Sequence, residues 1–230
     1  MKLSIIIPAY NEKNTIKKII EMVKAVKLPD IEKEIIVVDD GSTDGTRDIL
    51  KGIDSIKRIF HEKNQGKGGA VKTGFGAATG DIILIQDADL EYDPNEYSRL
   101  LAPILSGRAD VVYGSRFTGG DPHRVLYPLH HIANRTLTAI SNLLSGLALS
   151  DMEICYKVFR KEVVDSFKDK LQSGHFGIEP ELTARVAKGK WRVYEVGVSY
   201  YGRTYEEGKK INWKDGLAAI WHIIRFNLFS

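Results

Sequence analysis

A run of apolar residues that leads directly into a cluster of acids constrains this chain more than any other stretch. Residues 82–85 are all apolar, and Asp87, Asp89 and Glu91 follow them. A continuous apolar run of this length predicts a strand buried on both faces, as in a parallel sheet. Because residues two apart in an extended chain point the same way, the three carboxylates are expected to converge past the strand's end. Such a cluster suits Mg²⁺ or Mn²⁺, and an exposed acidic turn is the alternative interpretation.

Similar apolar runs recur along the chain, and amphipathic helical patterns separate them. Strands are predicted at residues 3–7, 34–38, 56–60 and 109–114, and later, after the simple alternation is lost, within 150–160 and 191–201. Alternating strands and helices predict right-handed βαβ units and a mostly parallel sheet. Open sheets of this kind bind ligands at the carboxyl ends of their strands, which is where the acidic cluster falls.

The length, charge and composition exclude several classes of protein. A chain of 230 residues can bury a full core as one domain, and its net charge of +3 is too small to indicate a nucleic-acid partner. Cys155 is the single cysteine, so no internal disulfide is expected. The first apolar run is too short for a signal peptide. No uninterrupted apolar stretch approaches the roughly 18 residues that indicate a membrane-spanning helix.

Glycines surround Lys67, but they match no nucleotide-binding motif. A phosphate loop would need Gly where Val71 stands. The glycines at 74 and 76 precede a strand, whereas a dinucleotide fingerprint must follow one. We therefore interpret them as packing residues. Lys67 is a candidate phosphate ligand, with an exposed lysine as the alternative.

Two long apolar helical patterns occupy residues 125–149 and 213–229. Either could cover the core or lie on a bilayer surface, and the periodicity leaves both interpretations open. Aromatic and basic side chains in and before the second pattern suit a membrane interface. These residues are Trp213, Trp221, Lys209, Lys210, Lys214 and Arg225.

Four motifs occur in a fixed order and carry a resemblance to a known family. They are Pro-Ala-Tyr-Asn-Glu at 8–12, Val-Asp-Asp-Gly-Ser at 38–42, Asp-Ala-Asp at 87–89 and Gly-Ser-Arg-Phe at 114–117. Together they resemble family 2 glycosyltransferases of the GT-A fold, and dolichyl-phosphate mannose and glucose synthases in particular. The resemblance covers nearly the whole chain. It implies an α/β fold with a Rossmann-like, mostly parallel central sheet flanked by helices, followed by a C-terminal amphipathic helix.

The resemblance also implies roles for residues at matching positions. The nucleotide would contact Pro8, Ala9, Tyr10, Glu12, Val38, Asp39, Lys67, Asp87 and Ala88. Asp87, Asp89 and Glu91 would hold a divalent metal, although the family often has Gln where Glu91 stands. Arg116 and Arg203 would bind phosphate near the reaction centre, and together with Asp89 they are the expected catalytic residues. Acceptor-side candidates are Arg124, His130, His131, Arg135, Asp151 and Glu153.

The implied activity is metal-dependent, inverting transfer of a hexose from a nucleotide-diphosphate sugar to dolichyl or polyprenyl phosphate. GDP-mannose is the favoured donor and UDP-glucose the next. A phosphate acceptor is already anionic and needs no strong base, whereas a hydroxyl acceptor would need one, with Asp151 and Glu153 as candidates. A glycosyltransferase acting on a sugar or small-molecule hydroxyl, a non-catalytic nucleotide-binding module and a nucleotidyltransferase are the alternatives. A nucleotidyltransferase would be expected to open with a glycine-rich loop after the first strand, which residues 8–12 do not provide.

The expected organisation is a single catalytic domain over residues 1–230. Residues 1–116 would bind the nucleotide sugar, 117–212 the acceptor, and 213–230 would form the tail helix. With no spanning helix expected, the chain is predicted to be cytoplasmic and peripheral on the cytoplasmic face of a membrane. A separate membrane-spanning partner is a further expectation.

Overall fold

The computed structural model describes residues 1–119, 122, 124, 125, 128–175, 177–204, 206 and 213–229, with the backbone alone described for 213–215. Lys209 and Lys210, and the side chains of Trp213 and Lys214, lie outside the described residues. The sequence-based interpretation of those side chains as membrane-contacting groups therefore stays a prediction.

A single sheet of seven strands forms the centre of the described structure. The strands are β1 (Lys2–Ala9), β2 (Glu32–Asp39), β3 (Lys57–Phe60), β4 (Ile82–Ile85), β5 (Val111–Ser115), β6 (Lys157–Arg160) and β7 (Val193–Gly197). Their spatial order is β3-β2-β1-β4-β6-β5-β7. All neighbouring pairs are parallel except those of β6, which runs antiparallel to both β4 and β5. The predicted mostly parallel sheet is confirmed.

Eight helices in the described chain flank this sheet. They are α1 (Ile16–Ala25), α2 (Thr46–Lys51), α3 (Gly66–Ala77), α4 (Tyr97–Leu105), α5 (Pro128–Ser145), α6 (Lys161–Phe167), α7 (Ile178–Lys188) and α8 (Trp213–Leu228). Two short 3₁₀ turns, Pro94–Glu96 and Lys168–Lys170, lead into α4 and follow α6. This arrangement matches the fold class that the resemblance implies, including the C-terminal amphipathic helix.

The continuous apolar runs of the sequence become the central strands because both faces of the sheet are covered. Ile5 pairs in register with Ile35 on β2 and with Leu84 on β4, and all three side chains are buried. Parallel strands require this burial because crossover helices pack against both faces. Their carboxyl ends lie along one edge of the sheet, and that edge positions the candidate site.

The two long apolar helices both pack inward and expose apolar side chains. Helix α8 contacts α5 and α7, and it buries Ala219, Ile223 and Phe226. On its other face Leu217 and Trp221 are more than half exposed. The helix therefore packs on the core with one face and exposes apolar side chains on the other, and its predicted place on a bilayer surface stays a prediction. Within the part of the chain described here, no helix combines the length and hydropathy that crossing a bilayer requires.

Gly74 lets α3 approach the central strand β1. A Cβ at Gly74 would fall far inside the contact distance of the Ile6 side chain, whereas a Cβ at Gly76 would meet no atom within 4 Å. We expect Gly74→Ala to lower the free energy of unfolding by about 1–3 kcal/mol, because overpacking forces the helix away from the sheet.

Gly76→Ala is the matched control, since it adds the same methyl group two residues along the same helix. It should raise the free energy of unfolding by up to about 1 kcal/mol, because Ala has the better helix propensity. Urea unfolding of both variants measures the difference. Equal effects at the two positions would contradict the close approach of α3 to β1.

Candidate functional site

Loops at the carboxyl ends of the parallel strands converge on one cleft of about 1410 Å³. The cleft brings together most of the residues that the sequence analysis names: Pro8, Ala9, Tyr10, Glu12, Lys67, Asp87, Ala88, Asp89, Glu91, Arg116, Arg124, His130, His131, Glu153 and Arg203. Val38, Asp39, Arg135 and Asp151 lie outside its lining. Val38 is buried in the core and Arg135 is exposed on α5.

The acidic cluster follows β4 in a turn, and the predicted extended conformation does not continue past Ile85. Leu90 has a positive φ of 65°, which reverses the chain locally. The alternation expected of a strand therefore does not set the direction of the three carboxylates. Instead each carboxylate pairs with a basic residue: Asp87 with Lys67, and Asp89 and Glu91 with Arg203.

Lys67, in the first turn of α3, joins the acidic cluster to α7. Its Nζ lies 2.9 Å from Asp87 Oδ1 and 3.1 Å from Glu179 Oε1. The other oxygen of Glu179 pairs with the fully buried Lys157 of β6. Burial alone would lower the pKa of Lys67, but Asp87, Cys155 and Glu179 hold it well above its usual value. Lys67 therefore carries a fixed positive charge beside the acidic cluster.

Arg203 follows β7 and lies among three carboxylates from distant parts of the chain. Its Nη2 is 3.1 Å from Asp89 Oδ2, and its Nη1 is 3.5 Å from Glu12 Oε2. Its backbone N–H donates to Glu91 Oε1 at 2.8 Å. Burial lowers the pKa of Arg203, but these three acids outweigh burial and raise it. Arg203 thus ties the segment after β7 to the turn after β4.

The carboxylates of the turn have the chemistry of a cation site. Among the residues described, no three His, Cys, Asp or Glu side chains are grouped so as to form a ready-made metal site. Burial, together with the nearby carboxylates of Asp87 and Glu91, nevertheless raises the pKa of Asp89 to about 7, and Arg203 offsets only part of that effect. A divalent cation would relieve this repulsion, so the donor set fits one whose remaining ligands come from elsewhere.

Arg116, directly after β5, is held by a buried carboxylate. Its Nε and Nη2 each donate to Asp151, with both N–O distances 2.7 Å, and its backbone N–H donates to the same carboxylate. The guanidinium lies over the rings of Phe117 and Tyr200, at 5.5 and 5.1 Å from their centroids. Nη1 forms no hydrogen bond with a described residue and remains available to a ligand in the cleft. Asp151 is fully buried, so it positions Arg116 instead of facing the cleft.

Glu153 follows Asp151 in the same loop but lines the cleft. Its Oε1 is buried and has no hydrogen-bond partner within the described chain. Burial and the nearby Glu179 carboxylate raise the pKa of Glu153 to about 7, and the opposing effects of Lys157 and Arg116 are smaller. Of the two carboxylates proposed for the acceptor side, Glu153 is therefore the one that a ligand can reach.

The residues expected to hold a nucleotide lie at the opposite end of the cleft and directly behind its lining. Asp39 ends β2 and pairs with Arg47, whose Nη2 lies 2.8 Å from Asp39 Oδ2. Asp39 Oδ1 is buried without a partner among the described residues. Asp40 Oδ2 accepts a hydrogen bond from the Gly66 N–H at an N–O distance of 2.8 Å. This bond fixes the start of α3, the helix that carries Lys67. The loop after β1 adds Tyr10 and Glu12 to the cleft lining.

The far wall of the cleft is apolar and formed by α5 and α8. Leu129 and Ile132 of α5 and Leu217 of α8 line it, and all three are more than half exposed. His131 packs edge-on against Phe117, with ring centroids 4.9 Å apart. The cleft therefore changes along its length from polar and charged to apolar.

Sequence reasoning missed several residues that build this site. Tyr92 and Tyr200 line the cleft next to Arg116, Glu179 pairs with Lys67, and Lys157 pairs with the other oxygen of Glu179. The signal for Glu179 was present, because two acids open a helix that is otherwise largely buried. The predicted strand at 191–201 gave no indication that Tyr200 would turn back to donate to Glu91, where the O–O distance is 2.9 Å.

Comparisons with known proteins identify the family to which this sequence is similar. A family model described as "Glycosyl transferase family 2" matches residues 4–167. Glycosyltransferase AglD of Haloferax volcanii is 29% identical over 210 residues, which are 87% of this chain and 33% of AglD. The chain thus spans about a third of the length of that relative. A UDP-N-acetylglucosamine–dolichyl-phosphate N-acetylglucosaminyltransferase of Methanococcus voltae is 25% identical and is matched over nearly its full length, with 97% of this chain and 95% of the relative covered.

A solved structure shares the fold. Glucosyl-3-phosphoglycerate synthase from Mycobacterium tuberculosis, determined with Mn²⁺, uridine diphosphate and glucosyl-3-phosphoglycerate, superposes with a TM-score of 0.74. The match covers 98% of this chain and 80% of that structure at 21% sequence identity. At this identity the likeness concerns the fold, and it agrees with the GT-A architecture described above.

The buried pair of Arg116 and Asp151 generates a stability prediction. Asp151→Ala should lower the free energy of unfolding by about 3–5 kcal/mol, because it leaves a buried guanidinium without its counter-charge. Asp48→Ala is the control, since Asp48 and its partner Lys51 are both exposed. It should cost less than about 1 kcal/mol. Chemical denaturation of the two variants makes the comparison, and similar losses would contradict the positioning role of Asp151.

Proposed function

The chain belongs to glycosyl transferase family 2, and on that premise we propose that it transfers a hexose from a nucleotide-diphosphate sugar to a polyprenyl phosphate. The proposed transfer is inverting and metal-dependent. The composition of the cleft supports this activity. The cleft contains the nucleotide-side residues, the carboxylates, two arginines and an exposed apolar wall. A lipid phosphate needs this combination of charge and apolar surface.

The donor is proposed to lie between β1, β2 and α3. Asp39 directly precedes the cleft-lining Asp40, and its Oδ1 has no partner among the described residues, so it can accept from an N–H group of a base, which both uracil and guanine present. The name of the Methanococcus voltae relative specifies a UDP sugar, and the solved neighbour was determined with uridine diphosphate. These names support a uridine donor over the GDP-mannose that the resemblance favours.

Asp87 and Asp89 are proposed to hold Mg²⁺ or Mn²⁺, with Glu91 close by. When bound, the cation would supply Lewis-acid stabilisation of the departing nucleotide diphosphate. Lys67 lies 2.9 Å from Asp87, so its ammonium group can add a charge-assisted hydrogen bond to the same phosphates. These residues thus orient the donor and neutralise the charge that develops as the sugar leaves.

The acceptor is proposed to enter from the apolar wall and meet Arg116 and Arg203. Arg116 Nη1 has no hydrogen-bond partner among the described residues, and Asp151 and the Phe117 and Tyr200 rings already fix the guanidinium, so little further ordering is needed to bind a phosphate oxygen. Because a phosphate acceptor is already anionic, no strong base is needed. Burial of Asp151 beneath Arg116 supports this choice over a hydroxyl acceptor, since one of the two candidate bases cannot reach the cleft.

A polyprenyl phosphate keeps its chain in a bilayer, so the open end of the cleft must meet the membrane surface. Leu129, Ile132 and Leu217 line that end and are exposed, and Trp221, also exposed, lies about one turn beyond Leu217 on α8. We therefore propose peripheral binding through the exposed faces of α5 and α8, on the cytoplasmic face of the membrane. A side chain such as Trp221 suits the interfacial region because it is amphipathic.

The activity is tested by incubating the protein with Mn²⁺, a panel of nucleotide sugars and polyprenyl phosphate while nucleotide diphosphate release is followed. We expect release that depends on both the lipid phosphate and the metal. Asp89→Asn should reduce it by at least about a hundredfold, because losing this ligand charge weakens binding of the cation that would stabilise the leaving group. Asp93→Asn is the control in the same loop, where Asp93 only caps the 3₁₀ turn.

The control variant should stay within about threefold of the parent rate. Full activity of Asp89→Asn, or full activity in excess chelator, would contradict the metal assignment. Transfer to a soluble hydroxyl acceptor, with none to lipid phosphate, would replace the proposed function by the hydroxyl alternative.

Membrane binding is tested by Trp221→Glu in flotation with anionic vesicles. Trp221 is 58% exposed, so the folded protein should lose less than about 0.5 kcal/mol of stability. Vesicle affinity should fall about tenfold, because a charge replaces an apolar anchor. Tyr194→Glu on β7 makes a similar change at a side chain that is 44% exposed and outside the cleft lining. Flotation of a folded Trp221→Glu protein equal to that of the control would exclude the interfacial role.

A further inference from the structure

Glu153 is a half-buried residue of the cleft lining, and its buried Oε1 has no hydrogen-bond partner among the described residues. It lies in the loop between α5 and β6 and lines the cleft together with Arg116. Its Oε1 is inaccessible to water and makes no hydrogen bond to any residue the structure describes. A buried oxygen without a partner is costly, so a ligand that supplies one gains affinity.

The charged groups around Glu153 come from four places in the fold. Asp151 belongs to the same loop, Lys157 to β6, Glu179 to α7 and Arg116 to the segment after β5. The two basic residues are already engaged elsewhere, Lys157 with Glu179 and Arg116 with Asp151. Glu153 therefore has no cation of its own, while two other carboxylates lie near it.

These surroundings favour a neutral Glu153. Burial is the largest cause, and with the neighbouring Glu179 it raises the pKa of Glu153 to about 7. A neutral carboxyl can donate a hydrogen bond, whereas an ionised one only accepts. An anionic acceptor in the cleft would be repelled by a carboxylate at this position and attracted by a carboxylic acid.

We propose that Glu153 makes the site selective for an anionic acceptor. Its carboxyl stays protonated and donates a hydrogen bond to an anionic oxygen of the acceptor phosphate, beside Arg116. The proposal rests on the lipid-phosphate transfer described above and names a specificity residue for it. A hydroxyl acceptor would need the same carboxyl ionised, as a base. The protonation state of one side chain thus separates the two acceptor classes.

Proton linkage predicts how the affinity for the acceptor changes with pH. An anion placed next to Glu153 raises its pKa further, so binding takes up a proton. Affinity is then fully present below about pH 7 and is lost at up to about tenfold per pH unit as the pH rises above the pKa of the free protein. A permanently neutral residue at position 153 would remove this dependence.

The test measures binding of farnesyl phosphate, a short polyprenyl phosphate, by calorimetry between pH 6 and 9. The parent protein, Glu153→Gln and the control Glu162→Gln are compared. Glutamine keeps the size and a hydrogen-bond donor but cannot ionise, and Glu162 is an exposed residue in the first turn of α6. Ionisation of the phosphate itself affects all three proteins equally, so the difference in slope reports Glu153.

We expect the parent and Glu162→Gln to lose affinity steeply above pH 7, and Glu153→Gln to lose little. Titrations at pH 7.5 in two buffers of different ionisation enthalpy should show greater proton uptake by the parent than by Glu153→Gln. Equal slopes and equal uptake in a folded Glu153→Gln protein would overturn the proposal, as would absence of farnesyl phosphate binding at every pH. A variant that binds normally but loses turnover would identify Glu153 as a base and overturn it as well.

The outcomes separate this inference from the proposed function. Lipid-phosphate turnover with identical pH slopes would reject the role of Glu153 and leave the function standing. If the affinity for farnesyl phosphate falls with pH only when Glu153 is present, but no nucleotide sugar supports transfer, the proposed function is rejected. Glu153 then remains a residue that recognises the phosphate.

Discussion

The chain of ion pairs through Lys67 and Glu179 is the interaction on which the site depends. Lys67 at the start of α3 pairs with Asp87 after β4 and with Glu179 on α7, and Glu179 pairs in turn with the buried Lys157 of β6. Four segments that are separated in sequence therefore meet through three ion pairs. Buried charges must be paired to be tolerated. This requirement fixes how α3 and α7 sit against the carboxyl edge of the sheet, and so fixes the floor of the cleft.

The fold class and most of the strands could be predicted from the sequence because local patterns specify them. The apolar runs are strands buried on both faces, and the motifs at their ends mark the carboxyl edge. The antiparallel insertion of β6 between β4 and β5 was not predictable, since strand order depends on contacts between distant segments. The apolar pattern predicted at 213–229 agrees closely with α8 (Trp213–Leu228), because periodicity is a local signal.

The sequence predicted most of the residues that line the candidate site, but it did not predict which acidic side chain pairs with which basic one. Most of the named residues line one cleft, yet Asp151 lies beneath Arg116 and the carboxylates of the turn are paired with Lys67 and Arg203. Which acid meets which base depends on tertiary packing, and spacing along the chain does not encode it. The strand alternation expected for residues 87–91 also failed, because β4 ends before them.

Glu91 fastens the segment after β7 to the turn after β4. Its two carboxylate oxygens accept from the Tyr200 hydroxyl and the Arg203 N–H, and its carbonyl accepts from the Tyr201 N–H. A glutamine offers only one acceptor oxygen and would direct an amide N–H₂ at one of these donors. Gln at position 91 can keep the Arg203 contact through its oxygen only if the Tyr200 hydroxyl accepts from the amide instead of donating. The identity of residue 91 thus sets the direction of the hydrogen bond that fastens the segment after β7.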